Sequence, residues 1–206
     1  MYTISGSGCR QALCNWIKTI VGCVTDPYPD YLVYDTFTGP NGTSLDAHTP
    51  EKDDVGAGWV EVAGNWAITG GALPGSGTGG DIATIAVGVA GHYAEAELTL
   101  QGKAPGVIAR YVDSTHFWVA LMNGVTGAID LYINNAGFTN MGSIAATWND
   151  GDRLRLSCSG DVLTVLQNDV QKIQITNATF NTATVVGVRE GYDAGELWDD
   201  FRAGVA

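Results

Sequence analysis

Between Gly106 and Thr176 the chain alternates apolar and polar residues in one short run after another, with a turn between each pair. THFWVAL (Thr115 to Leu121) puts Phe117, Val119 and Leu121 on one face and His116, Trp118 and Ala120 on the other. AIDLYI (Ala128 to Ile133) sets Ile129, Leu131 and Ile133 against Asp130 and Tyr132. DRLRLSC (Asp152 to Cys158) sets Leu154, Leu156 and Cys158 against Arg153, Arg155 and Ser157. A period of two is that of a pleated strand with one buried face. The rhythm predicts antiparallel sheets whose core takes Phe117, Val119 and Leu121, leaving His116 and Trp118 to face away.

The same grammar extends over most of the chain. VYDTFT (Val33 to Thr38) opens a series that runs through WVEV, WAIT, ALP, IATIAV, YAEAELTL and GVIARY. It continues after the central runs through VLTVLQ, VQKIQIT and ATVVGVR to LWDDFRAGV (Leu197 to Val205). That makes about a dozen strands, punctuated by glycine-rich turns, with no long helix after residue 24. No repeat period is visible, which disfavours propellers and solenoids. A chain of 206 residues, 45% hydrophobic, has ample material for one sandwich and a small appendage.

That appendage is residues 1–32, and the sandwich domain is 33–206. QALCNWIKTIVGCV (Gln11 to Val24) spaces Leu13, Trp16, Ile17 and Ile20 as one face of a short amphipathic helix, which Gly22 ends. DPYPDY (Asp26 to Tyr31), with two prolines, reads as an extended connector. A helix this short cannot bury its apolar face alone, so it docks on its own domain or on another chain.

Charge narrows the partners. The formal net charge is −12, opposed to phosphate backbones and anionic membranes, so neither nucleic acid nor a membrane surface is expected. Only 16% of residues are charged, against roughly 25% in an average chain, so Thr, Asn, Ser and Gly must make much of the surface. No apolar run approaches the roughly 20 residues of a membrane helix. MYTISGSGCRQ lacks a basic region followed by an apolar block and does not read as a secretory signal. With Met1 present, synthesis and assembly in the cytoplasm is favoured over removal of a signal. The expected destination is a virion surface or the outside of the cell. Cys9, Cys14, Cys23 and Cys158 have no C-x-x-C spacing; they read as packed free thiols, with a bridge in the arm or between subunits as the alternative.

Enzymatic signatures are weak. Glu95 and Glu97 share a strand face, as two glycosidase carboxylates would, but Ala94, Ala96, Leu98 and Leu100 take the core and leave both facing water. No serine lies in a G-x-S-x-G elbow, and GSGTGG lacks the Lys-Ser/Thr of a phosphate loop. His48, His92 and His116 are too dispersed for a zinc motif, and His48 reads as a brace for its loop. Asn41-Gly-Thr and Asn177-Ala-Thr match the glycosylation sequon, as chance allows in a Thr-rich chain. No catalytic residue, cofactor or transition-metal site is assigned. For a structural calcium the candidate carboxylates are Asp35, Asp199 and Asp200, with the acidic loop EKDDVGAG (Glu51 to Gly58) as the alternative; neither has the spacing of a known calcium loop. For binding, Arg110, His116, Trp118, Asp130 and Tyr132 would form an aromatic and polar platform for a glycan if their strands are neighbours.

Asp35 to Leu73 resembles the opening of laminin-G-like, concanavalin A-like jelly-roll domains: an Asp-x-Phe strand, an Asn-Gly loop, a Leu-x-x-His-Thr-Pro turn and paired Trp strands. GVIARYVDSTHFWVAL resembles their central strand pair, with Arg110 and Asp113 in place. GDRLRLSCSGDVLTVLQNDV resembles their hairpin, followed by a turn at Asn168-Asp169, and LWDDFRAG resembles the closing strand beside the opening one. The resemblance implies an antiparallel jelly roll over residues 33–206. Its His-Thr-Pro opening is similar to that of phage structural proteins and environmental extracellular proteins. On that basis the first expectation is a non-enzymatic module of a phage particle, a capsid decoration or tail-associated protein. Its Leu13, Trp16, Ile17 and Ile20 would anchor it to other virion proteins, and it would form a homo-oligomer. The alternative is a lectin-like carbohydrate-binding module for surface glycans, and the next a concanavalin A-like glycoside hydrolase.

Overall fold

The structure, a computed structural model, describes residues 26–75, 77, 79–99, 104–191 and 196–206. The strands in chain order are β1 (Val33–Asp35), β2 (Lys52–Asp53), β3 (Trp59–Ala63), β4 (Leu73–Pro74) and β5 (Ile82–Ala86). Next come β6 (His92–Thr99), β7 (Gly106–Asp113), β8 (His116–Asn123), β9 (Ala128–Asn135) and β10 (Phe138–Ala145). β11 (Asp152–Ser159), β12 (Val162–Gln167), β13 (Val170–Thr176), β14 (Val185–Arg189) and β15 (Leu197–Val205) complete the series. The expected arm residues Leu13, Trp16, Ile17 and Ile20, and Cys9, Cys14 and Cys23, lie outside the described residues.

Two antiparallel sheets face each other. One has eight strands in the order β13-β12-β11-β6-β15-β1-β2, with β4 added beside β15; the other has seven, β10-β9-β8-β7-β14-β5-β3. This is an all-β sandwich of the concanavalin A-like jelly-roll type. The closing strand pairs with the opening one, Tyr34 opposite Arg202, as the resemblance implied. The turn after β12 is formed by Asn168 and Asp169, both in the left-handed region at φ 50° and 63°, which suits a tight hairpin between right-twisting strands.

The space between the sheets is filled by large aromatics from scattered segments. Trp66 meets Trp198 edge-on at 5.4 Å between ring centroids, and Trp59 meets Phe201 at 5.0 Å. Ile129, Leu131 and Ile133 and Leu154, Leu156 and Cys158 enter this core, as the alternation predicts. So do Ala94, Ala96 and Leu98. Burial pushes the Cys158 thiol up to about 12.

On β8 the expected faces are exchanged. Trp118, Ala120 and Met122 enter the inter-sheet core, with Trp118 fully buried, whereas Phe117, Val119 and Leu121 join a second cluster with Ile82 and Ile108 on the outer face of the seven-stranded sheet. FWVALM is apolar on both faces. Alternation divides such a strand correctly but carries no sign saying which half is inside.

The outer face of the eight-stranded sheet differs. Tyr34, Arg202, Glu95 and Arg155 stand opposite one another across four neighbouring strands. Glu95, expected to face water, is only 1% exposed. Its carboxylate accepts from Arg155 at 2.7 Å, with Arg202 at 3.5 Å and Arg153 at 3.9 Å. A carboxylate under three guanidinium groups stays hydrogen-bonded without bulk water. The connector docks on this face. Tyr28 and Tyr31 pack on Tyr34 at 4.3 and 5.5 Å, and Lys52 bonds Asp26 and the Tyr28 carbonyl. Tyr34 Oη donates to Asp200 at 2.7 Å.

Candidate functional site

Strand register defines what shares the outer face of the seven-stranded sheet. Leu121 stands opposite Gly106 and Asp130, Val119 opposite Ile108 and Tyr132, and Phe117 opposite Asn134. β14 brings Arg189 opposite Gly106, and β10 brings Phe138 opposite Asn134. Gly106 is required here, because a Cβ at that position would lie 2.5 Å from the Leu121 side chain and 2.7 Å from the Ala120 carbonyl. Its hydrogen leaves room for the Leu121 side chain, which lines a depression on this face.

The depression has a volume of about 120 Å³ and is lined by Ala104, Leu121, Asn123, Tyr132, Phe138 and Arg189. Phe138 is 49% exposed, although its ring is fixed on three sides. Phe117 lies edge-on at 5.9 Å, Tyr132 edge-on at 6.2 Å, and the Arg189 guanidinium sits 4.9 Å from its centroid. Tyr111 stacks on Phe117 at 6.0 Å, extending the aromatic surface. On the polar side, Asn123 Nδ2 donates to Asp130 Oδ2 at 3.0 Å, and its Oδ1 accepts from Thr126 N at 3.1 Å. The backbone of the lining residue Ala104 is held by Glu196, a buried carboxylate that accepts from Ala104 N at 2.7 Å and Gly191 N at 2.8 Å. Burial raises its pKa, with nearby Glu190 adding to the rise.

An accessible ring beside a guanidinium and an amide–carboxylate pair can take a ligand with an apolar face and hydroxyl edges. The volume is well below the roughly 300–1,000 Å³ of enclosed sites, so it admits part of a ligand rather than swallowing one.

Of the five residues expected to form a platform, only Asp130 and Tyr132 reach this face. Trp118 is in the inter-sheet core, its Nε1 donating to the Thr179 carbonyl at 3.1 Å. Arg110 is fully buried at a β-bulge, with φ 51°, and donates to the carbonyls of Gly160, Asn177 and Thr179. The register shift between Ala109 and Asp113 turns its side chain to the end of the sandwich, where it holds the loop after β13. His116 sits at the start of β8, bonded to Asp113 at 2.8 Å and edge-on to Phe180. The residues that sequence reasoning missed are Leu121, Asn123, Phe138 and Arg189. Arg189 was readable, because in VVGVR it alternates with the two core valines Val186 and Val188. Phe138 opens FTNMGSIA, whose small polar residues hide a strand.

His48 braces more than its own loop. Its Nε2 bonds Asp35 at 2.9 Å, and the same buried carboxylate accepts from Trp59 Nε1 and Phe37 N, each at 2.7 Å. Burial raises the Asp35 pKa against the lowering effect of His48 and Trp59. The other two carboxylates considered for calcium are also engaged: Asp199 accepts from Asp200 N, and Asp200 from Tyr34 and Arg202. Among the described residues, no group of three or more His, Cys, Asp or Glu side chains is arranged to hold a metal ion.

No family model matches the chain, and no curated protein matches it in sequence. Solved structures do match in shape. The carbohydrate-binding module CBM66 from Bacillus subtilis is 14% identical at a TM-score of 0.60, over 71% of this chain and 94% of that one. The GH43 protein BlXynB from Bacillus licheniformis is 16% identical at 0.64, over 89% of this chain but only 40% of that one. The exoplasmic/lumenal domain of VIP36 in its Ca²⁺-bound form is 13% identical at 0.55, over 72% and 83%. At these identities the likeness shows the fold. No helix among the described residues is long and apolar enough to cross a membrane.

Proposed function

We propose that this chain is a non-catalytic carbohydrate-binding module whose ligand lies on the outer face of the seven-stranded sheet. The observation that carries it is Phe138, a half-exposed ring held by Phe117, Tyr132 and Arg189 beside the Asn123–Asp130 pair. A solvent-facing ring on a rigid strand stacks on a pyranose at little conformational cost, while neighbouring amide, carboxylate and guanidinium groups take hydroxyls. The named function of the Bacillus subtilis module supports the reading. A binding role also suits Glu95, whose three arginine neighbours occupy a carboxylate that hydrolysis would need free.

The virion-module reading draws on the opening-segment resemblance and on an arm outside the described residues. The carbohydrate-binding reading has a built surface and therefore stands first. The test is a glycan array with wild type and Phe138→Ala, followed by calorimetric titration of the best oligosaccharide. Wild type should bind, and the variant should lose about tenfold or more in affinity, the order of one lost ring contact. A wild type that retains no glycan, or a Phe138→Ala protein that binds equally well, removes the reading.

A further inference from the structure

The four strands at the outer edges of the two sheets are not protected alike. An edge strand presents unpaired backbone groups, and charged side chains on it keep another chain from pairing there. β2 carries Lys52 and Asp53, β3 carries Glu61, and β13 carries Lys172. β10, the edge of the seven-stranded sheet beyond β9, carries none: its eight residues are FTNMGSIA. Among the described residues it pairs with β9 alone.

The gap in charge is wider than the strand. Between Asp113 and Asp150 the one carboxylate, lysine or arginine is Asp130, and it is buried at 4% exposure. β8, β9 and β10 therefore expose no carboxylate, lysine or arginine of their own, on a chain of net charge −12. The exposed residues of β10 are apolar or uncharged, with Ile144 40% exposed beside Ser143 and Ala145. A bulge at Met141 interrupts the register with β9, but Gly142 to Ala145 continue in unbroken pairing from Leu131 to Ala128.

We propose that β10 is a self-association edge: two copies of this chain pair the unbroken Gly142–Ala145 end of β10 antiparallel about a two-fold axis at Ile144, joining the seven-stranded sheets into one. Two bodies of charge −12 repel over most of their surfaces, and the β10 flank is where they can approach without bringing carboxylates together. Antiparallel pairing of a strand with itself is self-complementary, as a two-fold interface requires. An acidic or basic partner would gain nothing from an edge without charges, whereas a second copy meets its least repulsion there. The joined sheet would place both Phe138 depressions on one continuous face. The association itself does not rest on the glycan reading.

The test uses the full chain without any ligand, in sedimentation equilibrium over a concentration series. Wild type is expected to be a dimer. Ile144→Glu/Ala145→Glu, placed at the end of β10 away from Phe138, brings like charges together across the axis. It should raise the dissociation constant about tenfold or more. Salt at about 1 M, where the Debye length falls to about 3 Å, should restore part of the association. A monomeric wild type, or a dimer that the double variant leaves intact, overturns the proposal. Should the variant fail to fold, deuterium exchange of wild type decides. β10 amides that become protected as concentration rises support the interface, and amides that do not respond contradict it. Glycan binding by Phe138 would survive either negative result.

Discussion

The two sheets present outer faces of opposite character, although both are built from strands of the same alternating grammar. On the eight-stranded sheet, Glu95 is enclosed by Arg153, Arg155 and Arg202, and the tyrosines of residues 28–34 pack over one side. Its ionic groups are engaged with each other, and the connector covers part of it. On the seven-stranded sheet, the outer face is a second apolar cluster capped by Tyr111, Tyr132 and Phe138, with one ring half open to solvent. An ionic lattice whose charges pair with one another is a structural answer to covering a sheet. An apolar face with an unfinished cap leaves something for a ligand to complete.

If that contrast is right, substitutions on the two faces and in the layer between them should separate cleanly. The largest effect belongs to the shared core. Trp118→Ala should cost about 3–5 kcal/mol in urea unfolding, since it empties a fully buried site and removes one of the two donors to the Thr179 carbonyl. A mild loss there, with lost binding instead, would return Trp118 to the ligand face. Glu95→Leu should come next, at about 1–3 kcal/mol, because its partly exposed arginines recover some hydration. Glycan affinity should not change, and a binding defect in that variant would break the division between the faces. Phe138→Ala should do the reverse, losing affinity while costing under about 1 kcal/mol of stability, as suits a ring half in water.

A smaller effect tests the junction between the sheets. His92, on β6, is fully buried; its Nδ1 bonds the Val89 carbonyl and its Nε2 accepts from Arg110 N of β7 at 3.1 Å. Burial, with the Arg110 charge, holds its pKa below the ordinary 6.5. The folded protein keeps this ring neutral where the unfolded chain protonates it. The contribution is therefore complete above pH 6.5 and is lost as pH falls from there toward the depressed folded value. Its slope reaches at most about 1.4 kcal/mol per pH unit, the value for one proton. Denaturant midpoints of wild type and His92→Gln across pH 7 to 5 should show a shallower dependence in the variant, and equal slopes would refute the assignment. The smallest effect is expected from EDTA. The lining of the depression supplies Asn, Tyr and Arg groups rather than a set of carboxylates, so chelation should leave glycan affinity unchanged.

The sandwich was legible because its strands carry their faces in plain alternation. Ile129, Leu131 and Ile133, or Leu154, Leu156 and Cys158, could be assigned inward from the charged and polar residues between them. The binding face was harder for a physical reason. Where a sheet is buried on both sides, as at Phe117 to Met122, alternation separates the halves without ordering them, and so places Trp118 on the outward face. Arg110 escaped because a bulge broke the period at that residue. Phe138 escaped because β10 lies at an edge, where little is buried and small polar residues suffice. Glu95 was assigned to water because its neighbours in the chain are alanines; the arginines that enclose it come from other strands.

The division between the faces can be examined directly by deuterium exchange on wild type, with and without the oligosaccharide best retained on an array. The account predicts new protection along β8, β9 and the start of β10, around Leu121, Asn123, Tyr132 and Phe138, with β6, β11 and β15 unaffected. Protection centred on Glu95, Arg155 and Arg202, with the Phe138 segment unchanged, would contradict it.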